Sequence, residues 1–142
     1  MSESEFVVVG INDLRQLTGL RQKTYGVTSI DGDDNPNTRH FAMFRIRGNV
    51  LSGGAVACAS FTSNLFQNEP TWELRGFAVD SEFGGRRVAK ELLAGAEGKL
   101  SNYGIKFFLC YAKLEDVPIL EACGWSQCGP PGILQKMIRR IP

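Results

Sequence analysis

Apolar residues change their spacing at residues 84–85, and this change divides the middle of the chain into two kinds of element. Leu74, Phe77 and Val79 give the upstream segment the apolar content of a β-strand. Downstream, apolar residues recur at the spacing of a helix that buries one side; they are Val88, Ala89, Leu92, Leu93, Ala96 and Leu100. The pattern predicts a strand, a turn at Gly84-Gly85 and a helix over residues 72–100.

The first 26 residues predict a strand followed by a helix. An apolar run over residues 5–9 is typical of a strand buried in a sheet. Asn12 or Asp13 can cap the next segment, which ends near Gly26. Its apolar residues fall at helical spacing; they are Leu14, Leu17, Leu20 and Tyr25. This helix is expected to cover one face of the sheet.

The next part of the chain predicts a hairpin. Residues 40–46 and 55–61 read as two strands on either side of Gly48-Asn49, a tight-turn pair. Gly53-Gly54 indicates a bulge or a close approach of two backbones. Residues 64–71 are polar and are interpreted as a connection into the central strand.

The last third of the chain predicts two more strands around a short helix. Residues 105–111 are apolar enough for a central strand, and a strand, helix and strand in one sheet imply a parallel pair. Pro118 suits the first turn of a helix over residues 119–123, and residues 133–138 form a final, exposed edge strand. The whole order predicts one α+β domain over residues 1–142, with a mixed, mostly antiparallel sheet and helices on both faces.

Composition limits the classes of partner and the cellular compartment that are expected for this chain. The formal net charge is +1, so no overall field favours nucleic acid or an anionic membrane. The N-terminus is acidic and lacks the pattern of a secretory signal, and no segment has the length of a membrane span. The four cysteines contain no Cys-x-x-Cys pair, which favours free thiols in the cytoplasm.

Metal chemistry is not expected. The loop over residues 31–37 is rich in acidic and amide side chains, but it lacks the ligand order of an EF-hand and reads as a solvated loop near a substrate mouth. His40 is the only histidine, and the usual spacings of zinc ligands are missing. A hydrogen-bonded histidine at the start of a strand is favoured over a catalytic base at this position.

The glycine turn has the chemistry of an anion site. The first turn of a helix carries unpaired N–H groups and partial positive charge, which favour a diphosphate. Gly84 and Gly85 permit close approach, and Arg86, Arg87 and Lys90 add cations beside the turn. The alternative, left open by these residues alone, is an ordinary turn with a solvated basic face.

The amino-acid sequence around the turn resembles the acyl-CoA site of the GNAT superfamily of N-acyltransferases. The matching residues are Leu74-Arg75-Gly76-Phe77-Ala78-Val79-Asp80, Phe83-Gly84-Gly85 and Val88-Ala89-Lys90-Glu91-Leu92-Leu93. In that family the loop reads Arg or Gln, two variable residues, Gly, one variable residue, then Gly or Ala. Gly84 stands here where Arg or Gln is usual, and Arg87 stands where Gly is usual, whereas Ala89 fits.

A second resemblance lies further along the chain. Cys110-Tyr111-Ala112-Lys113 and Ile119-Leu120-Glu121-Ala122-Cys123-Gly124-Trp125 are similar to the second GNAT signature, so the likeness spans about residues 39–138. Tyr111 takes the place of an Asn that often contacts the cofactor. Leu120 takes the place of the Tyr that in many relatives protonates the departing CoA thiolate.

The resemblance implies direct acetyl transfer from acetyl-CoA to an unidentified amine, by a monomer or a homodimer. It implies a sheet that splays between residues 74–79 and 105–111, where the pantetheine arm pairs with backbone. The implied acetyl-CoA ligands are Phe77, Ala78, Val79, Gly84, Gly85, Arg86, Arg87, Val88, Ala89, Lys90, Tyr111 and Lys113.

Two residues are candidates for catalysis. Glu73, upstream of the pantetheine-pairing residues, is the first candidate for the base that takes the amine proton, directly or through water; an exposed strand Glu paired with a cation is the alternative. Because Leu120 cannot donate a proton, Tyr111, Cys110, Tyr103 or water must protonate the thiolate, or it leaves unassisted. Cys110 as a covalent nucleophile is disfavoured, since buried strand cysteines are usually inert.

Two other classes of function stay open. The departures at Gly84, Arg87, Tyr111 and Leu120 fit a GNAT-fold module that senses CoA or binds a protein without turnover. A nucleotide-binding protein is disfavoured, since Gly84-Gly85 has neither the P-loop ending nor the dinucleotide glycine pattern.

Overall fold

The computed structural model describes residues 5–26, 35–48, 50–80, 82, 85–101, 104–130 and 132–140. It is a mixed α+β structure built on an open, mostly antiparallel sheet of eight strands, as the sequence predicted. The strands are β1 (Glu5–Ile11), β2 (Thr38–Arg47), β3 (Val50–Phe66), β4 (Glu69–Leu74), β5 (Ala78–Val79), β6 (Phe107–Lys113), β7 (Ser126–Gln127) and β8 (Leu134–Arg140). The α-helices are α1 (Thr18–Tyr25), α2 (Gly85–Leu100) and α3 (Val117–Ala122). Short 3-10 helices at Leu14–Leu17 and Leu114–Asp116 precede α1 and α3.

The strand order is β1-β2-β3-β4-β6-β8-β7, with β5 paired to β3. β4 and β6, which are joined through α2, form a parallel pair; the other pairs are antiparallel. The parallel pair around the central helix is confirmed. Among the described helices, none is both long and apolar enough to cross a membrane.

Two hydrophobic clusters lie on opposite faces of the sheet. The larger one packs α2 and α3 against the sheet, and its centre includes Phe61, Leu92 and Phe108. The smaller one includes Leu17, Leu20 and Cys58, and it packs α1 and the preceding 3-10 helix on the other face. The two sides are called the α2 face and the α1 face below. Helices on both faces are therefore confirmed.

Local chemistry explains how α1 begins and ends. The side chain of Asp13 accepts a hydrogen bond from the backbone N–H of Arg15 at 3.0 Å, which caps the 3-10 helix that leads into α1. Gly26 ends α1 with φ of 75°, a left-handed conformation that glycine adopts at little cost. One of the two proposed caps, Asp13, is thus confirmed.

The β2–β3 pair contains the predicted bulge. Met43 pairs with Ala57, but Arg45 pairs with Ser52, so several residues around Gly53-Gly54 oppose a single residue of β2. The extra residues bend β3 and shift its register, as bulges do. This prediction is confirmed.

Two predictions about the strands were wrong. Residues 64–71 are not a polar connection: β3 continues to Phe66, turns through Gln67 and Asn68, and returns as β4. Both turn residues have positive φ, 51° and 66°, which non-glycine residues adopt in such tight turns. The final strand is not an edge strand, since β8 pairs with β6 on one side and with β7 on the other.

Candidate functional site

The sheet opens between β5 and β6, and this gap organises the site. β4 pairs with β6 up to Leu74 and Cys110. Beyond that pair, β5 pairs with β3, and residues 111–113 of β6 pair with β8. We call the gap between residues 75–79 and residues 111–113 the sheet opening. The expected parting of the two central strands is therefore present.

One edge of residues 75–80 is already hydrogen bonded to β3. The N–H of Arg75 donates to the carbonyl of Ser60 at 2.7 Å, and the N–H of Asp80 donates to the carbonyl of Val56 at 2.8 Å. Ala78 and Val79 pair with Cys58 and Ala57 in β3. The opposite edge of this segment faces the sheet opening, where an extended ligand can add as a further strand.

Helix α2 begins shortly after β5 and brings several predicted cofactor ligands to one turn. Gly85 is its first residue, and the side chains of Arg86, Arg87 and Lys90 are exposed. Arg87 also pairs with Glu91 one turn along the helix, with 3.5 Å between Nε and Oε1. Gly84, which was predicted to bind the diphosphate, lies outside the described residues.

Four further predicted ligands have buried side chains. Phe77 and Ala78 are buried beside the opening, and Val88 and Ala89 anchor the first turn of α2 in the core of the α2 face. Their side chains therefore hold the backbone in place, and backbone groups are what this part of the chain can offer a ligand.

A cluster of charges ties α1 to the segment that leads into α2. Lys23 on α1 donates to both carboxylate oxygens of Asp80, at 3.1 and 3.0 Å, and to Glu82 at 3.2 Å. Asp80 also accepts from the N–H of Glu82 at 3.0 Å. That backbone hydrogen bond is the main cause of a lowered pKa for Asp80, and Lys23 adds to it.

The alternation of side chains places both catalytic candidates on the α1 face. Phe108, Cys110 and Ala112 of β6 enter the core of the α2 face, so Tyr111 and Lys113 project to the other side. Trp72 and Leu74 likewise enter that core, which puts Glu73 on the α1 face. Glu73 is paired with Leu109, the β6 residue just before Tyr111 on this face.

The predicted pair is therefore brought to one side of the junction where β4 and β6 part. Glu73 is partly buried, and Tyr111 is 48% exposed. Because the side chains of Tyr111 and Lys113 point away from α2, it is their backbone that borders the sheet opening. Their roles as acetyl-CoA ligands stay predictions.

Asn64 contacts Glu73 and was missed by reasoning from the sequence. Its amide nitrogen donates to Oε1 of Glu73 at 2.7 Å across the β3–β4 pair. Because residues 64–71 read as a connection, the sequence carried no signal that Asn64 lies on a strand beside the candidate base. The contact leaves the other carboxylate oxygen of Glu73 available to a substrate.

Cys110 and Leu120 lie in the core. Burial, with smaller contributions from Asp116 and Glu73, raises the pKa of the Cys110 thiol to about 12. The thiol is therefore neutral near pH 7 and a poor nucleophile. Leu120 is fully buried on α3, so this position supplies packing and no proton.

His40 belongs to a buried polar chain on the α1 face. Its Nδ1 lies 2.7 Å from Oγ of Ser60, and Arg21, which is fully buried, donates to the same oxygen at 3.0 Å. Arg21 can only donate, so the Ser60 hydroxyl accepts from it and remains able to donate its proton to His40. This arrangement holds α1, β2 and β3 together.

Within the described part of the chain, no group of three or more His, Cys, Asp or Glu side chains is placed to hold a metal ion.

Comparisons with known proteins place this geometry in a family. A model of the Acetyltransferase (GNAT) family matches residues 14–120. No curated protein matches the chain in a search by sequence.

Several solved structures share the fold at low sequence identity. A GNAT family N-acetyltransferase from Escherichia coli in complex with CoA aligns with a TM-score of 0.72 at 14% identity, covering 96% of this chain and 81% of that one. A ribosomal-protein-alanine N-acetyltransferase from Escherichia coli aligns at 0.70 and 13% identity, covering 96% and 94%. A chimeric spermidine N-acetyltransferase from Vibrio cholerae aligns at 0.67 and 13% identity, covering 95% of both chains.

Proposed function

Because the chain belongs to the Acetyltransferase (GNAT) family, we propose that it transfers an acetyl group from acetyl-CoA to an amine within a ternary complex. The observation that carries the proposal is the sheet opening, with the start of α2 at one end and Glu73 and Tyr111 on its α1 face. Two of the solved neighbours are complexes with CoA, which supports CoA as the donor type. We further propose that the enzyme works in the cytoplasm, as a monomer or a homodimer.

The first turn of α2 would hold the diphosphate of acetyl-CoA. Its backbone N–H groups have no partner within the helix, and the helix dipole favours negative charge there. Arg86, Arg87 and Lys90 add exposed cations at the same end. Gly84 is proposed to complete this cradle.

The sheet opening would hold the pantetheine arm. Phe77, Ala78 and Val79 present one backbone edge to it, and the backbone of Tyr111 and Lys113 presents the other. Pairing with an exposed strand edge needs only backbone groups, so the arm can be held without particular side chains. The thioester would then lie near the junction of β4 and β6.

Glu73 would act as the base, directly or through one water. It receives the proton that the amine loses as the new N–C bond forms, while the C–S bond breaks and CoA leaves as a thiolate. A backbone N–H at the opening would polarise the thioester carbonyl. With Leu120 unable to donate, Tyr111 or water would protonate the thiolate.

A second candidate is a GNAT-fold module that binds CoA without turnover. The buried Leu120 favours it, because an acid found in many relatives is missing from this position. A thiolate is a good leaving group by itself, however, and the position of Glu73 on the α1 face beside the sheet opening supports transfer. Acetyl transfer is therefore the preferred function.

Acetyl transfer is tested by following CoA release from acetyl-CoA over a panel of amines. We expect turnover that falls by about 100-fold or more in Glu73→Gln, the usual contribution of a general base, with little change in the KM for acetyl-CoA. Glu69→Gln is the matched control, since Glu69 lies on the same strand and pairs with Lys106. Binding of CoA without turnover on any amine would favour the second candidate.

A further inference from the structure

Asp116 stands between the β6 wall of the sheet opening and helix α3. It is the last residue of the 3-10 helix Leu114–Asp116, which directly follows Lys113 at the end of β6. Residues three apart lie on one side of a 3-10 helix, about 6 Å apart along its axis. The short helix therefore keeps Asp116 close to the end of β6 that borders the opening.

The carboxyl of Asp116 does not cap the helix that follows it. Asp116 is the N-cap residue of α3, a position at which Asp commonly accepts a hydrogen bond from the first turn, but its side chain makes no capping hydrogen bond. Asp116 is also half-buried, whereas Lys113, Leu114 and Glu115 before it are exposed. It therefore carries an inward-facing carboxyl that the start of α3 does not engage.

The Cys110 thiol shows which part of the protein the Asp116 carboxyl faces. Cys110 is the last β6 residue that pairs with β4, and its side chain enters the core of the α2 face. After burial, the charge of Asp116 is the largest cause of the raised pKa of this thiol, ahead of the charge of Glu73. Glu73 itself is next to Leu74, the strand partner of Cys110. Asp116 therefore lies near the junction of β4 and β6.

Asp116 and Glu73 approach this junction from different faces of the sheet. Helix α3, which begins directly after Asp116, packs on the α2 face, as does the thiol that Asp116 influences. Glu73 and Tyr111 project to the α1 face. An amine that reaches Glu73 from the α1 face therefore leaves the α2 side of the junction to a group that acts on the sulfur.

The surroundings favour the protonated form of Asp116. Burial is the main cause of a raised pKa for this carboxyl; the charge of Lys113 opposes the rise, and that of Glu115 adds to it. The charged groups of α2 and β8 near α3 act on Cys123, at the other end of that helix; they are Lys90, Glu97 and Arg139. A ligand in the sheet opening excludes further water from Asp116 and so favours the neutral acid more strongly.

Resting on the proposed acetyl transfer, we infer that Asp116 is the acid that protonates the departing CoA thiolate, directly or through one water. As the C–S bond breaks, its electron pair moves to sulfur, and the proton of the Asp116 carboxyl forms the S–H bond. Asp116 is left as a carboxylate while Glu73 holds the proton taken from the amine, and exchange with solvent restores both. The two carboxyls thus divide the acid and base roles between the two faces of the sheet.

The ratio of kcat between the parent protein and Asp116→Asn, measured across pH with acetyl-CoA and the best amine of the panel, tests the inference. We expect a loss of about 10- to 100-fold at the acidic end of the active range, at or below the low end of an acid's usual contribution, because a thiolate leaves readily. The ratio should shrink as pH rises, since Asp116 loses its proton above its pKa. Ionisation of the amine and of Glu73 affects both proteins alike and cancels in the ratio.

Matched variants separate the acid from the structure around it. Asn and Ser are both favoured N-cap residues, so Asp116→Asn and Asp116→Ser remove the acid without weakening the start of α3. Asp116→Glu keeps an acid and should keep part of the activity that the other two lose. Glu115→Gln is the control, because it removes the adjacent, exposed carboxylate and should leave kcat nearly unchanged. Thermal unfolding checks that all four variants are folded.

Three results would overturn the inference and leave acetyl transfer standing. They are an unchanged kcat in the folded variants that lack the acid, a kcat ratio that does not vary with pH, and an equal loss in Glu115→Gln. Calorimetry separates this inference from the proposed function, since a parent protein that binds acetyl-CoA but modifies no amine contradicts acetyl transfer itself and the role of Asp116 with it.

Discussion

At the scale of single residues, the hydrogen bond from Asn64 to Glu73 gives the candidate base its orientation. The 2.7 Å contact engages Oε1 of the carboxylate and holds the side chain in place on the α1 face.

Asn64→Ala should therefore slow acetyl transfer. We expect kcat to fall by about three- to tenfold, the value of a typical hydrogen bond, because the Glu73 carboxylate loses the contact that orients it. Steady-state kinetics of the variant measure the effect. An unchanged kcat would mean that Asn64 serves only the strand.

At the scale of elements, the two glycines of α2 have different reasons to be there. A Cβ built on Gly95 would lie 3.1 Å from Cβ and Cγ2 of Val8, so the helix comes close to β1 at this point. A Cβ on Gly98 would meet no atom within 4 Å. From the sequence alone, both glycines are expected to weaken the helix equally.

Substituting each glycine by alanine separates these cases. Gly98→Ala should raise the free energy of unfolding by about 0.5–1 kcal/mol, because alanine is the better helix former. Gly95→Ala should show no such gain, since overpacking against Val8 costs about 1–3 kcal/mol. Urea unfolding of both variants measures the difference, and equal gains would contradict the close packing of α2 on β1.

The segment between β5 and α2 is held by Asp80, and its stabilising effect should depend on pH. The pKa of Asp80 lies below its ordinary value of 3.8, so the charged form stabilises the fold above that value. This contribution is lost as pH falls through the pKa of the folded state.

Asp80→Ala should lower the free energy of unfolding at pH 7, and its difference from the parent protein should shrink as the pH falls below 3.8. Asp80→Asn is the matched variant, because it keeps an acceptor for the N–H of Glu82 but loses the charge that Lys23 contacts. Unfolding curves at both pH values measure the effect. If the difference in the free energy of unfolding did not change with pH, it would come from the shape of the Asp80 side chain and not from its charge.

The sequence predicts the helices and strands better than it predicts where a strand is interrupted or turns back. Periodicity located the strand and the helix within residues 72–100, because core-facing residues must repeat at the spacing of each element. It did not show that Arg75-Gly76-Phe77 interrupts the strand, since those residues are compatible with a continuous one. It also missed the turn at Gln67 and Asn68, which has no glycine to mark it.

At the scale of the whole molecule, the candidate site could be predicted only in part, because the order of residues along the chain does not show which distant strands become neighbours. Glu73 and Tyr111 were named from motif positions, and the structure shows that they share one face of the sheet. The contact between Asn64 and Glu73 depends on which strands are neighbours and on which way their side chains point. Those facts come from the pairing of β3 with β4, which no local pattern specifies.

The proposed function depends above all on acetyl-CoA binding at the start of α2 and in the sheet opening. Calorimetric titration of the protein with acetyl-CoA tests it directly, alongside Arg87→Glu and the matched variant Lys99→Glu. Both variants change charge equally, but Lys99 lies in the last turn of the same helix, about 18 Å from Arg87.

We expect saturable binding that Arg87→Glu weakens by about tenfold or more, the value of a charge-assisted hydrogen bond to phosphate, and that Lys99→Glu leaves nearly unchanged. Absence of binding by the parent protein, or equal weakening by the two variants, would contradict the claim that this end of α2 holds the cofactor.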